Sequence, residues 1–298
     1  MKLLVVGSAG QLSRSLVERS TDRAGIDLVA IGRPEVDLER PETVAHSIAA
    51  ASADLVINAA AYTAVDLAED EPGRAFAVNA AGAGEVARAA AAAGAPVIHI
   101  STDYVFDGRS SGRYREDDPT NPLGVYGRSK LEGERLVRAT NPDHLIVRTS
   151  WVYSPFGSNF VKTMLRLAAD REEVAVVDDQ RGCPSSALDL ADALLTVAER
   201  IPESNSGALG RTFHLAGPDA CSWADFAAAI FAVSAGLGGP TANVRRIPTS
   251  EFPTKAVRPA NSALDSSAFE REFGFGLPQG RSSLEAALER MLHEGARR

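Results

Sequence analysis

Cysteine is nearly missing from this chain: among 298 residues there are only Cys183 and Cys221, far apart and in no CxxC arrangement. That excludes a disulfide-built scaffold and a thiolate metal centre, and it points to two reduced thiols. Histidine is almost as scarce, and His46, His99, His144, His214 and His293 share no metal-ligand spacing. Each is therefore read as a surface or satisfied core histidine, and no metal is expected. Positive charge is not in excess, because 31 Lys and Arg stand against 39 Asp and Glu for a net charge of −8. Nucleic acid and anionic membranes are thereby disfavoured as main partners, while a few placed arginines could still hold a small anionic substrate. Long apolar runs are also missing. The longest, around Phe226 to Leu237, is too short and too rich in Ala and Gly to span a bilayer. The chain opens directly on "KLLVVG", without the apolar region and cleavage site of a signal peptide. A cytoplasmic location is expected.

What is present is ordinary globular composition, 45% hydrophobic and 23% charged, in a chain long enough to bury a sizeable core. Short apolar runs at Leu3–Val6, Leu28–Ile31, Leu55–Asn58, Val97–Ser101 and Leu145–Arg148 read as strands. Between them, 11–20, 41–51, 73–93 and 124–139 read as helices. Continuous apolar strands separated by helices predict an α/β fold, a doubly wound parallel sheet of Rossmann-like type. After Trp151 the alternation loosens. Helices are expected at 160–169, 187–199, 223–235 and 282–294, and strands at Val174–Val177 and "TFHLAG". The division expected is a dinucleotide-binding domain over 1–150. A smaller, irregular substrate lobe would occupy 151–298, with segments returning to the sheet.

"VVGSAGQLS" follows the first strand and opens the first helix. Gly7 and Gly10 fit the first two glycines of a GxxGxxG fingerprint, one for the tight turn and one for backbone approach to a pyrophosphate at the helix N-terminus. Ser13 replaces the third. The loop therefore offers Gly7, Gly10, Gln11 and Leu12 to a dinucleotide. At the end of the second strand Arg33 suits a 2′-phosphate, and Asp37 and Leu38 border the adenine. NADPH is the expected cofactor, with NADH left open. "NAAAYTAVD", from Asn58, ends the third strand in small residues, and Ala59, Ala60, Ala61 and Thr63 complete the expected cofactor wall.

"VYGRSK" puts Tyr126 and Lys130 four positions apart on one face of a helix. "STDYVFDG" supplies Thr102, Asp103 and Tyr104 at the end of the fourth strand, where doubly wound sheets bind ligands. A hydrolase built on His99, Ser101 and Asp103 is disfavoured, because no GxSxG elbow is present.

Taken together, the Gly7–Leu12 loop, "NAAAYTAVD", "STDYVFDG", Tyr126–Lys130, "RTSWVYS", "NFVKTML", "DQRGCPSS" and "RPANSAL" resemble the extended short-chain dehydrogenase/reductases. Within them the chain is most similar to the dTDP-4-dehydrorhamnose reductases, nearly end to end. The resemblance implies NAD(P)H-dependent reduction of the C4 ketone of a dTDP-linked 4-keto-6-deoxy sugar. Tyr126 would then donate the proton, Lys130 would lower its pKa and bind the nicotinamide ribose, and Thr102 would orient the carbonyl. Asp103 and Tyr104 would contact the sugar, Trp151 would line its pocket, and Asn159 and Arg258 would serve the nucleotide diphosphate. Some relatives dimerise around a magnesium held by glutamates; Ser15 and Leu188 stand at those positions here, so a metal-bridged dimer is not expected and the oligomeric state is open. Related dehydratases carry Asp–Glu after the threonine, whereas Asp103 is followed by Tyr104. Reduction of a related keto-sugar, of unusual deoxysugar or streptose type, stays open. So does a non-catalytic NADP-binding subunit of methionine adenosyltransferase type.

Overall fold

The structure, a computed structural model, describes residues 1–201 and 207–295. Along the first half run β1 (Lys2–Val6), α1 (Gln11–Ser20), β2 (Asp27–Ile31), α2 (Pro41–Ala51) and β3 (Leu55–Asn58). Then come α3 (Val65–Ala68), α4 (Pro72–Phe76), a π-helical turn (Ala77–Gly82), α5 (Ala83–Ala92), β4 (Val97–Thr102), α6 (Val125–Thr140) and β5 (His144–Thr149). The second half holds β6 (Val152–Tyr153), α7 (Phe160–Asp170), β7 (Glu173–Val177), β8 (Arg181–Gly182), β9 (Ser185–Ser186) and α8 (Ala187–Arg200). It ends with β10 (Arg211–His214), β11 (Cys221–Ser222), α9 (Trp223–Gly236), β12 (Asn243–Ile247), α10 (Ser267–Phe273) and α11 (Gly280–Gly295).

Six strands form one sheet in the order β10-β5-β4-β3-β1-β2, every neighbouring pair parallel. Helices cover both faces, as the sequence pattern predicts for a doubly wound sheet. Because side chains alternate along a strand, each face can be read separately. One face presents Leu3, Val5, Leu55, Ile57, Ile98, Leu145, Val147 and Phe213 to α1, α8 and α10, with Thr102 and Thr149 at its C-terminal edge. The other presents Leu4, Val6, Val56, Val97 and Ile146 to α2, α5 and α6. Towards the C-terminal strand ends that second face turns polar and stays buried, at Asn58, His99, Ser101, Arg148 and His214.

The helix expected over 73–93 is broken by the π-turn. A Cβ at Gly82 would lie 2.6 Å from Leu38 Cβ, so the chain passes close against the 37–38 corner. The turn also carries Asn79 inward, where its Nδ2 donates to Ser129 Oγ at 3.0 Å and its Oδ1 accepts from the Tyr62 N–H at 2.8 Å. In the second half, α7, α9, α11 and β7 enclose their own core of Tyr153, Val161, Met164, Phe226, Ile230 and Leu288. β7 pairs in parallel with β12. The short pairs β6–β9 and β8–β11 carry this part of the chain across the C-terminal edge of the main sheet.

Candidate active site

Gly7 adopts φ +109°, and a Cβ there would lie 3.1 Å from the Ala60 backbone nitrogen. Positive φ and close approach together require glycine. Gly10 caps α1 with no side-chain hydrogen bond, which leaves the first N–H groups of a ten-residue helix directed outward. Ser13 is fully buried, and its Oγ has no hydrogen-bond partner. A cradle in which a Cβ does not fit, an uncapped helix start and an orphaned hydroxyl beside it fit a dinucleotide pyrophosphate. Ala59, Ala60 and Ala61 are half-buried along the same edge, with Thr63 exposed beyond them.

At the end of β2, Arg33 is exposed. Asp37 is occupied locally, its Oδ1 accepting from the Glu39 N–H at 3.1 Å and its Oδ2 lying 3.4 Å from Arg40 Nε. Leu38 is buried in the α2/α5 core. Gln11 has a use the sequence did not reveal. Its Oε1 accepts from Ser154 Oγ and from Asn159 Nδ2, both at 2.9 Å, which clasps the loop to the second half of the chain. Asn159 is thereby committed, since its Oδ1 also caps α7 through the Lys162 N–H at 3.1 Å.

Tyr126 stands in the first turn of α6, and Lys130 lies buried one turn on, 2% exposed. Two glycines seat the helix. A Cβ at Gly127 would collide with the Tyr104 carbonyl oxygen, and one at Gly133 with the Asn79 carbonyl oxygen. The Glu69 carboxylate accepts from the Val125 N–H at 2.7 Å and so supplies the missing N-cap. Across from the helix, Thr102 Oγ1 donates to Asp103 Oδ1 at 3.0 Å and accepts from the Tyr104 N–H at 3.2 Å. The Tyr104 ring meets Tyr126 edge-on, centroids 5.8 Å apart. Asp103 is buried, and its Oδ2 has no hydrogen-bond partner.

Electrostatics follow from burial. Loss of solvation pushes the Tyr126 phenol up to about 12, with the Thr102 hydroxyl pulling against it and the Asp103 charge adding to it. Tyr126 is thus a protonated donor at neutral pH. Lys130 is driven down to about 8 by desolvation, opposed by the charge of Glu134. Asp103 is pushed up to about 7, chiefly by desolvation. Lys130 Nζ donates to the Ile100 carbonyl at 2.7 Å, on the buried side of α6.

Beneath Lys130 lies a buried ion pair that motif reading missed. Glu134, one further turn along α6, accepts from Arg148 Nε and Nη2, each at 2.8 Å, from Ser101 Oγ at 2.6 Å and from Arg138 Nη2 at 3.0 Å. These partners hold its carboxyl below the usual range against strong desolvation. The "YGRSKLEGE" spacing of i, i+4, i+8 was the available signal.

Trp151 takes a left-handed φ of +47°. Its ring lies against Gly182, where a Cβ would collide with it, and stacks on Trp223 at a centroid distance of 3.4 Å and 4° between planes. Arg258 reaches the same edge, but both its terminal nitrogens are paired with Asp66, at 3.1 and 2.7 Å. Cys183 and Ser185, in the "DQRGCPSS" stretch, are fully buried; Cys183 packs with Phe106 and Tyr114 in a small core. Among the described residues, no group of three or more His, Cys, Asp or Glu side chains is placed to hold a metal ion. No described helix is long and apolar enough to cross a membrane.

Residues 1–293 match the family model described as the RmlD substrate binding domain. The chain is 48% identical to a dTDP-4-dehydrorhamnose reductase of Sinorhizobium fredii, over 99% of both chains. Among solved structures it is similar to a dTDP-4-dehydrorhamnose reductase of Clostridium acetobutylicum, with TM-score 0.90 and 37% identity over 98% of this chain and 100% of that one. It is also similar to the Bacillus anthracis dTDP-4-dehydrorhamnose reductase solved in complex with NADP, with TM-score 0.86 and 34% identity over 98% and 99% of the two chains. Matched by the family model over residues 1–293 and similar to these proteins nearly end to end, this chain belongs to the dTDP-4-dehydrorhamnose reductase family.

Proposed function

We propose that this protein is an NADPH-dependent reductase of dTDP-4-dehydrorhamnose, forming dTDP-L-rhamnose. The observation that carries the reading is Tyr126, protonated and edge-on to Tyr104, at the C-terminal edge of a sheet whose first loop fits a dinucleotide. Relatives named for this reaction cover the chain from end to end, and a similar structure holds NADP.

Bound NADPH supplies the hydride that reaches C4 of the sugar. Tyr126 gives its proton to the ketone oxygen as that carbon is reduced, so the balance is one hydride to carbon and one proton to oxygen. A phenol held near 12 keeps its proton at neutral pH and surrenders it to the much more basic alkoxide. Thr102 orients the carbonyl by turning its one hydroxyl proton from Asp103 Oδ1 to the ketone oxygen. Asp103 Oδ2, buried and unpartnered, is available to a sugar hydroxyl, with Tyr104 beside it. Trp151, fixed by Trp223, forms an apolar wall of the sugar pocket, so the substrate side falls to segments of 151–298 and the cofactor side to 1–150. Arg258 reaches a diphosphate only by exchanging its Asp66 partner for phosphate oxygens. Asn159 acts beside the diphosphate indirectly, through Gln11. Arg33 receives the 2′-phosphate of NADPH, and NADH remains usable. Tyr104 stands where elimination would need a carboxylate base, which disfavours a dehydratase.

The test follows NADPH and NADH absorbance with dTDP-4-keto-6-deoxy-L-lyxo-hexose made in situ, wild type beside Tyr126→Phe. Oxidation that collapses in the variant is expected. Tight cofactor binding with no oxidation would move the assignment to another keto-sugar, or to an NADP-binding regulatory subunit.

A further inference from the structure

Among the described residues, five buried side-chain atoms have no hydrogen-bond partner: Ser13 Oγ, Arg19 Nε, Asp103 Oδ2, His144 Nε2 and Thr149 Oγ1. Arg19 still faces a charge, with Asp192 Oδ2 3.2 Å from its Nε. His144 opens β5, at the end of the sheet remote from the site. Ser13 lies by the dinucleotide loop and Asp103 by the sugar. Thr149 is left over. It closes β5 and is only 6% exposed, and neither cofactor nor sugar has a claim on it so far. A buried hydroxyl with no partner costs stability that a valine of the same shape would not. Its presence points to a partner outside the chain.

Thr149 pairs in register with Thr102. Their side chains therefore emerge on one face, from strands about 4.8 Å apart, and the unpartnered hydroxyl stands beside the one that receives the ketone. Across the C-terminal edge, in the strand order β2-β1-β3-β4-β5, come Arg33, Gly7, Ala59, Thr102 and Thr149. NADPH carries its own groups in a matching order, from 2′-phosphate through pyrophosphate and ribose to nicotinamide. Hydride leaves C4 of that ring, and the carboxamide sits on the adjacent C3. With C4 against a ketone at Thr102, the carboxamide falls to β3 or to β5. Ala59 on β3 has no polar side chain, and Asn58 is turned to the opposite face, its Nδ2 3.2 Å from His99 Nδ1. On β5 the neighbouring Ser150 Oγ already donates to the Cys183 carbonyl at 2.8 Å, which leaves Thr149. The chain beyond folds back over this strand end to the glycine loop, where the Val152 carbonyl accepts from Gln11 Nε2 at 3.4 Å.

We propose that Thr149 binds the carboxamide of the nicotinamide. A threonine hydroxyl both donates and accepts, and a carboxamide presents both a carbonyl oxygen and an amino group, so the two match whichever way the amide is turned. Through that bond Thr149 fixes the rotation of the ring about its ribose and keeps C4 beside Thr102. The inference rests on the NADPH-dependent reading of the site, and it adds no bond-making step to the reaction.

The test measures binding and needs no turnover. Calorimetric titration compares NADP⁺ with 2′-phospho-ADP-ribose, which keeps the adenosine and the pyrophosphate and lacks the nicotinamide. Thr149→Val should weaken NADP⁺ about three- to tenfold, the loss of one neutral hydrogen bond, and leave the fragment unchanged. Thr149→Ser keeps the hydroxyl and should bind NADP⁺ within about twofold of wild type. The thermal midpoint of ligand-free Thr149→Val should equal or exceed that of wild type, because the lost hydroxyl has no partner in the chain. Equal NADP⁺ affinity in wild type and Thr149→Val would overturn the inference, as would a fragment weakened as much as NADP⁺. A lowered midpoint would reveal an internal partner and count against it equally. Weaker binding of dTDP-L-rhamnose with NADP⁺ unaffected would give the hydroxyl to the sugar and overturn it too. A wild type that binds NADP⁺ but reduces no sugar would remove the reductase assignment alone, and the comparison of NADP⁺ with its fragment would still decide the role of Thr149.

Discussion

The two faces of the central sheet obey different rules. Under α1, α8 and α10 the strands present apolar side chains as far as Thr102 and Thr149 at their C-terminal ends, with Phe269 and Phe273 around Phe213. Under α6 the same strands begin apolar, at Val56, Val97 and Ile146, and within one or two alternations become Asn58, His99, Ser101 and Arg148. The first face contributes stability by removing apolar area from water. The second buries ions and polar rings at a desolvation cost, tolerated because Glu134, Arg148, Ser101 and Arg138 satisfy one another. Only the second face carries the helix bearing Tyr126 and Lys130. Tyr126 and Lys130 are thus separated from the apolar core by a single sheet thickness.

The strongest challenge to that separation is Tyr126→Phe, expected to lower kcat by about 10²–10⁴-fold while leaving the thermal midpoint close to wild type. A large loss of stability would mean that the phenol is structural. Next in size is Glu134→Gln. It leaves Arg148 buried without its charge partner, at a cost of about 3–5 kcal/mol; urea titration reads the stability, and activity should fall with it because Lys130 sits one turn away. On the apolar face, Phe213→Ala should cost a similar ~3–5 kcal/mol, yet kcat per folded molecule should be retained. If kcat also fell tenfold, the two faces would not be independent.

A smaller effect concerns pH. Burial drives His214 down to about 3, with the nearby Arg148 charge adding to the drop. Its folded pKa is depressed, so the unfolded chain takes up a proton near pH 6.5 that the folded chain refuses. Stability is therefore full above 6.5 and declines as pH falls towards 3, by about 1.4 kcal/mol per unit for one such group. His214→Gln should flatten that decline between pH 6.5 and 4.5 in denaturant midpoints, whereas His293, exposed on α11, should not matter when replaced. Smallest is Arg33→Ala, expected to raise KM for NADPH severalfold and leave KM for NADH unchanged. Equal changes for both cofactors would take the arginine away from the 2′-phosphate.

Much of this is legible in the sequence. The five strands of the first half, the Gly7–Gly10 loop and the Tyr126–Lys130 helix follow from apolar runs, turn chemistry and an i, i+4 spacing, all local signals; that β10 joins the sheet and β7 does not does not follow from them. What stays hidden depends on contacts between distant segments. The π-turn arises where Gly82 meets the 37–38 corner, and nothing within 73–93 announces it. Gln11 and Asn159 each fit a ligand role by position, and only the fold reveals that they bind each other across 148 residues of chain. Arg258 likewise reads as a phosphate ligand, yet Asp66 stands against it. His99 reads as a satisfied core histidine. It is satisfied, but one of its two partners is Lys130, and only strand pairing with α6 overhead brings them together.

The reductase assignment is best tested with NADPH deuterated at the transferable C4 position and dTDP-4-dehydrorhamnose as substrate. One deuterium at C4 of the product sugar, with one NADP⁺ formed per sugar and no transfer in Tyr126→Phe, is the predicted result. Label retained in the cofactor, or a sugar returned unreduced by a folded, cofactor-bound protein, would contradict it.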